Sequence, residues 1–283
     1  MRFLIGLLLA AFSLEAGILR DILQNRSTQP NQLTDISYGE DKKQRLDVYL
    51  PTNPQNAPII VMVHGGAWKM GDKKSQNVVY NKMNRWVSKG VIFVSLNYRL
   101  YPKAAPQQQS EDVAQGVAYV QRNAREWGGD SQKIVLMGHS AGAHLVSLVS
   151  ANPKKYSAFG LQKWLGTVSL DTATMDLVQT MEKKHYDFYD DVFGNDKNGW
   201  IENSPYYQLE RSASPMLLVC STLREDKPCE NSKPFVTKGS SLGIRVEMSE
   251  QPLTHGEIND DLGKSNVYTQ RVEQFIRSLG IDI

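Results

Sequence analysis

The sequence has almost no net charge, only two cysteines and five histidines, and no apolar run long enough to cross a bilayer. Each scarcity excludes something. Lys+Arg total 32 against 30 Asp+Glu, a formal net charge of +2. No basic block supplies the electrostatic footprint of a nucleic-acid binder, so no nucleic-acid partner is expected. The longest apolar run, residues 3–14, stops at Glu15, whereas a spanning helix needs ~20 apolar residues; a polytopic membrane protein is excluded. No CxxC and no paired histidines at ligand spacing occur, so no metal site is expected. No internal repeat or low-complexity linker breaks the chain. With 41% hydrophobic residues over 283 positions, the sequence is too apolar for disorder and long enough for a sizeable α/β core.

What is present begins with Met1-Arg2 and the stretch FLIGLLLAAFSL, which reads as the charged and hydrophobic regions of a secretory signal peptide. Residues 1–16 are the expected leader, cut within Ala11-Phe12-Ser13 or after Ala16. Export to the periplasm or outside the cell is expected, without integral membrane association once the leader is gone. No cysteine follows the run to carry a lipid. Cys220 and Cys229 lie nine positions apart, and in an oxidising compartment they are expected to close a disulfide.

Short Val/Ile-rich runs at 57–63, 91–96, 133–137, 165–170, 215–220 and 244–248 alternate with stretches of helical period at 80–89, 110–126, 141–150, 234–242 and 267–279. This alternation predicts an α/β fold, a mostly parallel sheet covered by helices on both faces. Residues 36–38 and 46–49 read as a hairpin leading into the sheet, and residues 31–283 as a single domain. The segment 172–214 breaks the alternation and carries Tyr186, Phe188, Tyr189, Phe193, Trp200, Tyr206 and Tyr207. It is too long for a simple connection and reads as a lid, a pocket wall or a packed excursion.

Gly138-His139-Ser140-Ala141-Gly142 follows one of these strands and opens a helix. A serine between glycines at a strand-to-helix turn is the setting of a nucleophile elbow, because side chains two residues either side would collide with strand and helix. An oxyanion needs converging backbone N–H groups. One is expected from Ala141, and the others from the loop His64-Gly65-Gly66-Ala67-Trp68 after the first buried strand, whose two adjacent glycines let its backbone approach closely. A hydroxyl needs a general base. His139 and His144 lie too near the turn to fold back onto Ser140, His64 belongs to the oxyanion loop and His185 to the irregular segment, so His255 is the base by elimination. In the order Ser, acid, His, the acid falls between positions 140 and 255. Asp226 is favoured because a cystine would pin its loop; Asp171 and Glu225 remain alternatives.

These residues resemble the α/β-hydrolase esterases with an HGGxW oxyanion motif, a group that includes bacterial acetyl and aryl esterases, hormone-sensitive-lipase-like carboxylesterases and kynurenine formamidases. The likeness extends to Gly71-Asp72-Lys73, Asn97-Tyr98-Arg99-Leu100, Pro102, Pro106, Asp112 and Trp127-Gly128-Gly129-Asp130. It implies an α/β-hydrolase fold with Ser140 as nucleophile, His255 as base, and Gly65, Gly66 and Ala141 as oxyanion donors. The implied activity is hydrolysis of small or short-acyl carboxylic esters through an acyl-enzyme, with no cofactor. Amide or arylformamide cleavage is the alternative within the group, and a non-catalytic binding protein the alternative outside it. The departure is at the acid: members often carry D-x-x-V after a strand-end glycine, whereas here the strand ends Cys220-Ser221 and Asp226-Lys227-Pro228-Cys229 is the nearest match.

Overall fold

The computed structural model describes residues 31–172 and 174–283, so the expected leader lies outside the described residues. In chain order the strands are β1 (Asn31–Ser37), β2 (Arg45–Leu50), β3 (Ala57–Val63), β4 (Ile92–Leu96), β5 (Gly129–His139), β6 (Gly166–Leu170), β7 (Met216–Ser221) and β8 (Val246–Gln251). The helices are α1 (Gln76–Val87), α2 (Pro106–Asn123), α3 (Ala141–Ala151), α4 (Leu177–Met181), α5 (Phe188–Phe193), α6 (Lys197–Glu202), α7 (Pro205–Gln208), α8 (Pro228–Ser241), α9 (His255–Asp260) and α10 (Val267–Ser278).

The strands form one eight-stranded sheet in the order β1-β2-β4-β3-β5-β6-β7-β8. β2 pairs antiparallel with β4, and every pairing from β4 through β3 and β5 to β8 is parallel. Parallel central strands are covered on both faces, which is why they read as unbroken apolar runs. Along β3 the period of two decides the layer. Ile59, Val61 and Val63 join the core beneath α2 and α3, with Val113, Val117 and Leu145. Ile60 and Met62 join the opposite core with Trp86 of α1 and Val272 and Phe275 of α10. Residues Gln32–Ile283 make one compact unit.

Helix boundaries differ from the pattern reading: α1 begins at Gln76 rather than 80, and α2 at Pro106 rather than 110. Helix α8 begins at Pro228, a turn and a half before the expected start at 234, and Pro234 lies inside it. Both prolines carry the same first-turn signature, so sequence alone cannot rank them. The segment 172–214 folds into α4 to α7, and part of it packs over Trp68. That indole is 2% exposed and meets Phe188, Tyr189 and Phe193 with ring centroids 6.3, 5.5 and 4.8 Å away. Among the described residues no helix is long and apolar enough to cross a membrane.

The topology places the site. From β3 the chain goes to β4 on one side, then crosses back to β5 on the other. The carboxyl ends of β3 and β5 therefore flank a point where the winding reverses, which in open α/β sheets leaves a crevice.

Candidate active site

Ser140 stands between β5 and α3 with φ 56° and ψ −118°, a left-handed backbone that costs energy for any residue with a Cβ and is held by its surroundings. Those surroundings are tight. A Cβ on Gly142 would lie 2.3 Å from the Val63 carbonyl oxygen and 2.5 Å from that of His64; only glycine lets α3 start this close to the end of β3. Gly65 meets Ser140 in the same way, since a Cβ there would sit 2.9 Å from Ser140 Cβ and from the His139 carbonyl oxygen. The Gly65 backbone thus lies directly against the serine, and Ala141, the first residue of α3, has no carbonyl one turn earlier to receive its N–H.

Several residues of the wider motif brace the loop His64–Trp68. Tyr98 Oη donates to the His64 carbonyl at 3.2 Å, and its ring stacks on the His64 imidazole at 4.5 Å and 17°. Asn97 accepts the Lys73 N–H at 2.7 Å and donates to Asp72 at 3.0 Å. The buried Lys73 ammonium lies between Asp47 and Asp35 at 2.6 and 2.8 Å. Asp112 accepts both arms of the Arg99 guanidinium.

The histidines separate by environment. His64 Nδ1 bonds the adjacent Gly65 carbonyl at 2.7 Å, which ties the ring within its own loop. His144 bonds the Asn203 carbonyl through Nε2 at 2.7 Å and receives the Trp68 N–H on Nδ1 at 3.3 Å. Burial pushes both down to about 4, so they are neutral at physiological pH. His139 goes down to about 3, chiefly through burial and then through the neighbouring His255. It donates from Nε2 to the His255 carbonyl at 2.9 Å and packs ring against ring with it, centroids 4.5 Å apart. That contact, which sequence reasoning missed, fixes the start of α9.

His255 opens α9 behind a Thr254–Glu257 capping box, which sets the direction in which the helix leaves. Its Nε2 lies 2.9 Å from Ser140 Oγ. Its Nδ1 lies 2.6 Å from Asp171 Oδ2. Asp226, the favoured acid, does not reach the imidazole. Its carboxylate faces the Arg224 guanidinium, with Nε and Nη2 at 2.9 and 2.5 Å. Glu225, beside it, makes no hydrogen bond to His255 either. The reason is positional: the loop after β7 is one strand farther from Ser140 than the end of β6, and Arg224 fills the interval. Asp171 follows β6 at once, takes φ 51°, and turns its fully buried carboxylate back toward Nδ1. Burial pushes this carboxyl up, but the His255 hydrogen bond, the Arg224 charge and the Ser221 N–H together hold it below the ordinary carboxylate value.

The expected cystine is present: Cys220 at the end of β7 and Cys229 in the first turn of α8 are bonded, with Cα atoms 5.2 Å apart. It closes the loop that carries Arg224 and Asp226. Ser140 and His255 open into a cavity of about 660 Å³. Its walls include Gly65, Gly66, Ala67 and Met70 on one side and Tyr186 and Phe188 on the other. The aromatic segment therefore supplies a pocket wall and, through Tyr189 and Phe193, a packed support for Trp68. Among the described residues no cluster of His, Cys, Asp and Glu has the geometry to hold a metal ion.

The comparisons with known proteins agree with this architecture. A family model described as BD-FAE matches residues 46–238, more than half of the chain. Isoprenylcysteine alpha-carbonyl methylesterase ICME of Arabidopsis thaliana is 29% identical over 248 residues, covering 80% of this chain and 56% of its own. Kynurenine formamidase of Salmo salar is 26% identical, covering 78% of this chain and 74% of its own. A solved structure titled as a truncated form of carbohydrate esterase from gut microbiota superposes with a TM-score of 0.77 at 18% identity, covering 89% of this chain and 97% of that one. The chain spans about half or less of the length of the first curated relatives it matches. The chain belongs to the BD-FAE family and has the α/β-hydrolase fold.

Proposed function

We propose that the protein is a serine carboxylic-ester hydrolase that works through an acyl-enzyme. The observation that carries this reading is the continuous chain from Ser140 Oγ through His255 to Asp171, at 2.9 and 2.6 Å, opening into a cavity against the Gly65 backbone. His255 Nε2 takes the Ser140 proton as Oγ attacks the ester carbonyl, while Asp171 keeps Nδ1 protonated and stabilises the imidazolium that forms. The oxyanion gathers on the N–H groups of Gly65, Gly66 and Ala141. His255 then protonates the leaving alcohol, and water repeats the sequence on the acyl group.

The substrate is a small or short-acyl ester. The Ala67, Met70, Tyr186 and Phe188 walls favour an apolar acyl or aromatic group, and the one guanidinium lining the cavity is committed to two carboxylates. No cofactor takes part in this chemistry. The likeness to a kynurenine formamidase supports a second reading, cleavage of an amide by the same three residues. Turnover of formyl-kynurenine against acetyl esters separates the two.

Residues 1–16 serve as a leader for export, in keeping with the disulfide. The test of the main reading is Ser140→Ala. It should abolish hydrolysis of p-nitrophenyl acetate and labelling by a fluorophosphonate probe while circular dichroism is unchanged. Retained turnover refutes the assignment, and a wild-type chain that neither labels nor hydrolyses points to a binding protein.

A further inference from the structure

Arg224 is the residue near Ser140 whose presence the ester chemistry leaves unexplained. Its side chain is 13% exposed and all three of its nitrogens are engaged. Nη1 donates to Asp171 Oδ2 at 2.9 Å and lies 3.2 Å from the Asp171 carbonyl oxygen. Nε and Nη2 hold Asp226. The same Nη1 stands 3.1 Å from His255 Nδ1, so two donors, one cationic, converge on the single oxygen Oδ2. Ser221 N–H occupies the other oxygen at 2.8 Å.

We propose that Arg224 is a positioning residue for the proposed hydrolase, clamped by Asp226 and the Cys220–Cys229 loop so that it fixes the Asp171 carboxylate and places a cation beside the His255 imidazole. The proposal rests on the serine-hydrolase reading above.

The geometry gives Arg224 two effects. With Arg224 Nη1 on Oδ2 and the Ser221 N–H on Oδ1, both carboxylate oxygens are taken by fixed donors and Asp171 keeps one rotamer, so the imidazole is held in the tautomer that leaves Nε2 free for Ser140. The charge also opposes formation of the imidazolium, both directly at 3.1 Å and by partly neutralising Asp171. The other charged and titratable groups around this pair are few. His139 from β5 faces the imidazole and is kept neutral by burial. Glu257 and Asp260 belong to α9 itself, and Glu257 is engaged in the helix cap. Lys82 from α1 is tied to the Asn77 and Asn259 carbonyls. Tyr268 and Tyr189, near Asp171 and Arg224, are held un-ionised by burial. Asp226 lies behind Arg224 and balances its charge.

The test is a comparison of Arg224→Met and Arg224→Lys with the wild type, reading kcat, KM and the pH profile of kcat/KM on p-nitrophenyl acetate. Active sites are titrated by fluorophosphonate. Arg224→Met should lower kcat about tenfold to a hundredfold with KM within about twofold. It should also move the acidic limb of kcat/KM up by about one pH unit, because removing a cation beside the imidazole favours its protonated, inactive form. Arg224→Lys restores the charge without the fork, so the limb returns toward the wild type while kcat recovers only in part. Should Arg224→Met not fold, Arg224→Gln removes the charge while keeping hydrogen-bonding capacity and is read in the same way. A limb unmoved in the uncharged variant, with kcat per titrated site unchanged, overturns the proposal and leaves the serine-hydrolase reading intact. A wild-type chain without labelling or turnover overturns both.

Discussion

Asp171→Asn and Asp226→Asn are isosteric changes at the ends of the neighbouring strands β6 and β7, and the structure predicts very different outcomes. Asp171 uses Oδ1 for the Ser221 N–H at 2.8 Å and Oδ2 for both His255 Nδ1 and Arg224 Nη1. An asparagine offers one oxygen and one NH2 to these donors. If its oxygen faces His255, the NH2 meets the Ser221 N–H; if it flips, the NH2 meets both the imidazole and the guanidinium. Either way a buried donor faces a donor, and the flipped form selects the tautomer that blocks Nε2 from acting as base. Loss of the carboxylate behind a catalytic histidine costs about ten-thousand-fold in kcat, or about 5.5 kcal/mol of transition-state stabilisation. Asp226 touches neither His255 nor Ser140, so Asp226→Asn weakens only the outer grip on Arg224, and a loss within about tenfold follows. Steady-state hydrolysis of p-nitrophenyl acetate, normalised to fluorophosphonate-titrated sites and checked by thermal unfolding, decides between them. Equal losses, or a larger loss in Asp226→Asn, would refute the geometric assignment.

Three further outcomes follow from particular contacts. Gly65→Ala should fold but lose about a hundredfold in kcat, because the new Cβ lies 2.9 Å from Ser140 Cβ and the His139 carbonyl and must displace the proposed oxyanion donor; an unchanged kcat would remove Gly65 from that role. Reducing the cystine, or Cys220→Ser with Cys229→Ser, should lower stability by about 2.5 kcal/mol on the chain-entropy estimate for a short loop, measured by urea unfolding, and should lower kcat by loosening Arg224. Glu273 of α10 is 1% exposed and bonds Arg85, Lys89 and Arg277. Burial alone would raise its carboxyl, yet Arg85 and Lys89 bring it down from 4.5 to about 2. A depressed carboxylate stabilises the folded state fully above its unfolded value and loses that contribution as pH falls from about 4.5 through about 2. Its worth is at most about 3 kcal/mol, discounted because the partner cations reach solvent. Glu273→Gln should therefore flatten the stability profile in that window, and an unchanged acid limb would refute the contribution.

The layered sheet was legible in the sequence because buried parallel strands have no polar alternation to hide them: the run at 57–63 is β3 residue for residue. Ser140 was legible as a candidate for a steric reason, since the contacts that forbid a Cβ at Gly138, with the Gly142 and Ala143 backbone, are local to a strand-to-helix turn. His255, the proposed base, came from elimination among few histidines, and the structure brings it within 2.9 Å of Ser140 Oγ. The acid was not legible. Asp171 and Asp226 both follow strands, and the choice depends on how far each loop stands from Ser140 across the sheet, on the left-handed backbone at Asp171, and on an arginine placed between them. Spacing along the chain carries none of these. Nor could it reveal that His139 holds the His255 carbonyl, a contact across 116 positions. The sequence by itself determined the elements, the elbow and the set of candidate groups, because these follow from local sterics and periodicity. Only the tertiary structure decided which carboxylate meets the imidazole, because that rests on strand order and on distances of a few ångströms between segments far apart in the chain.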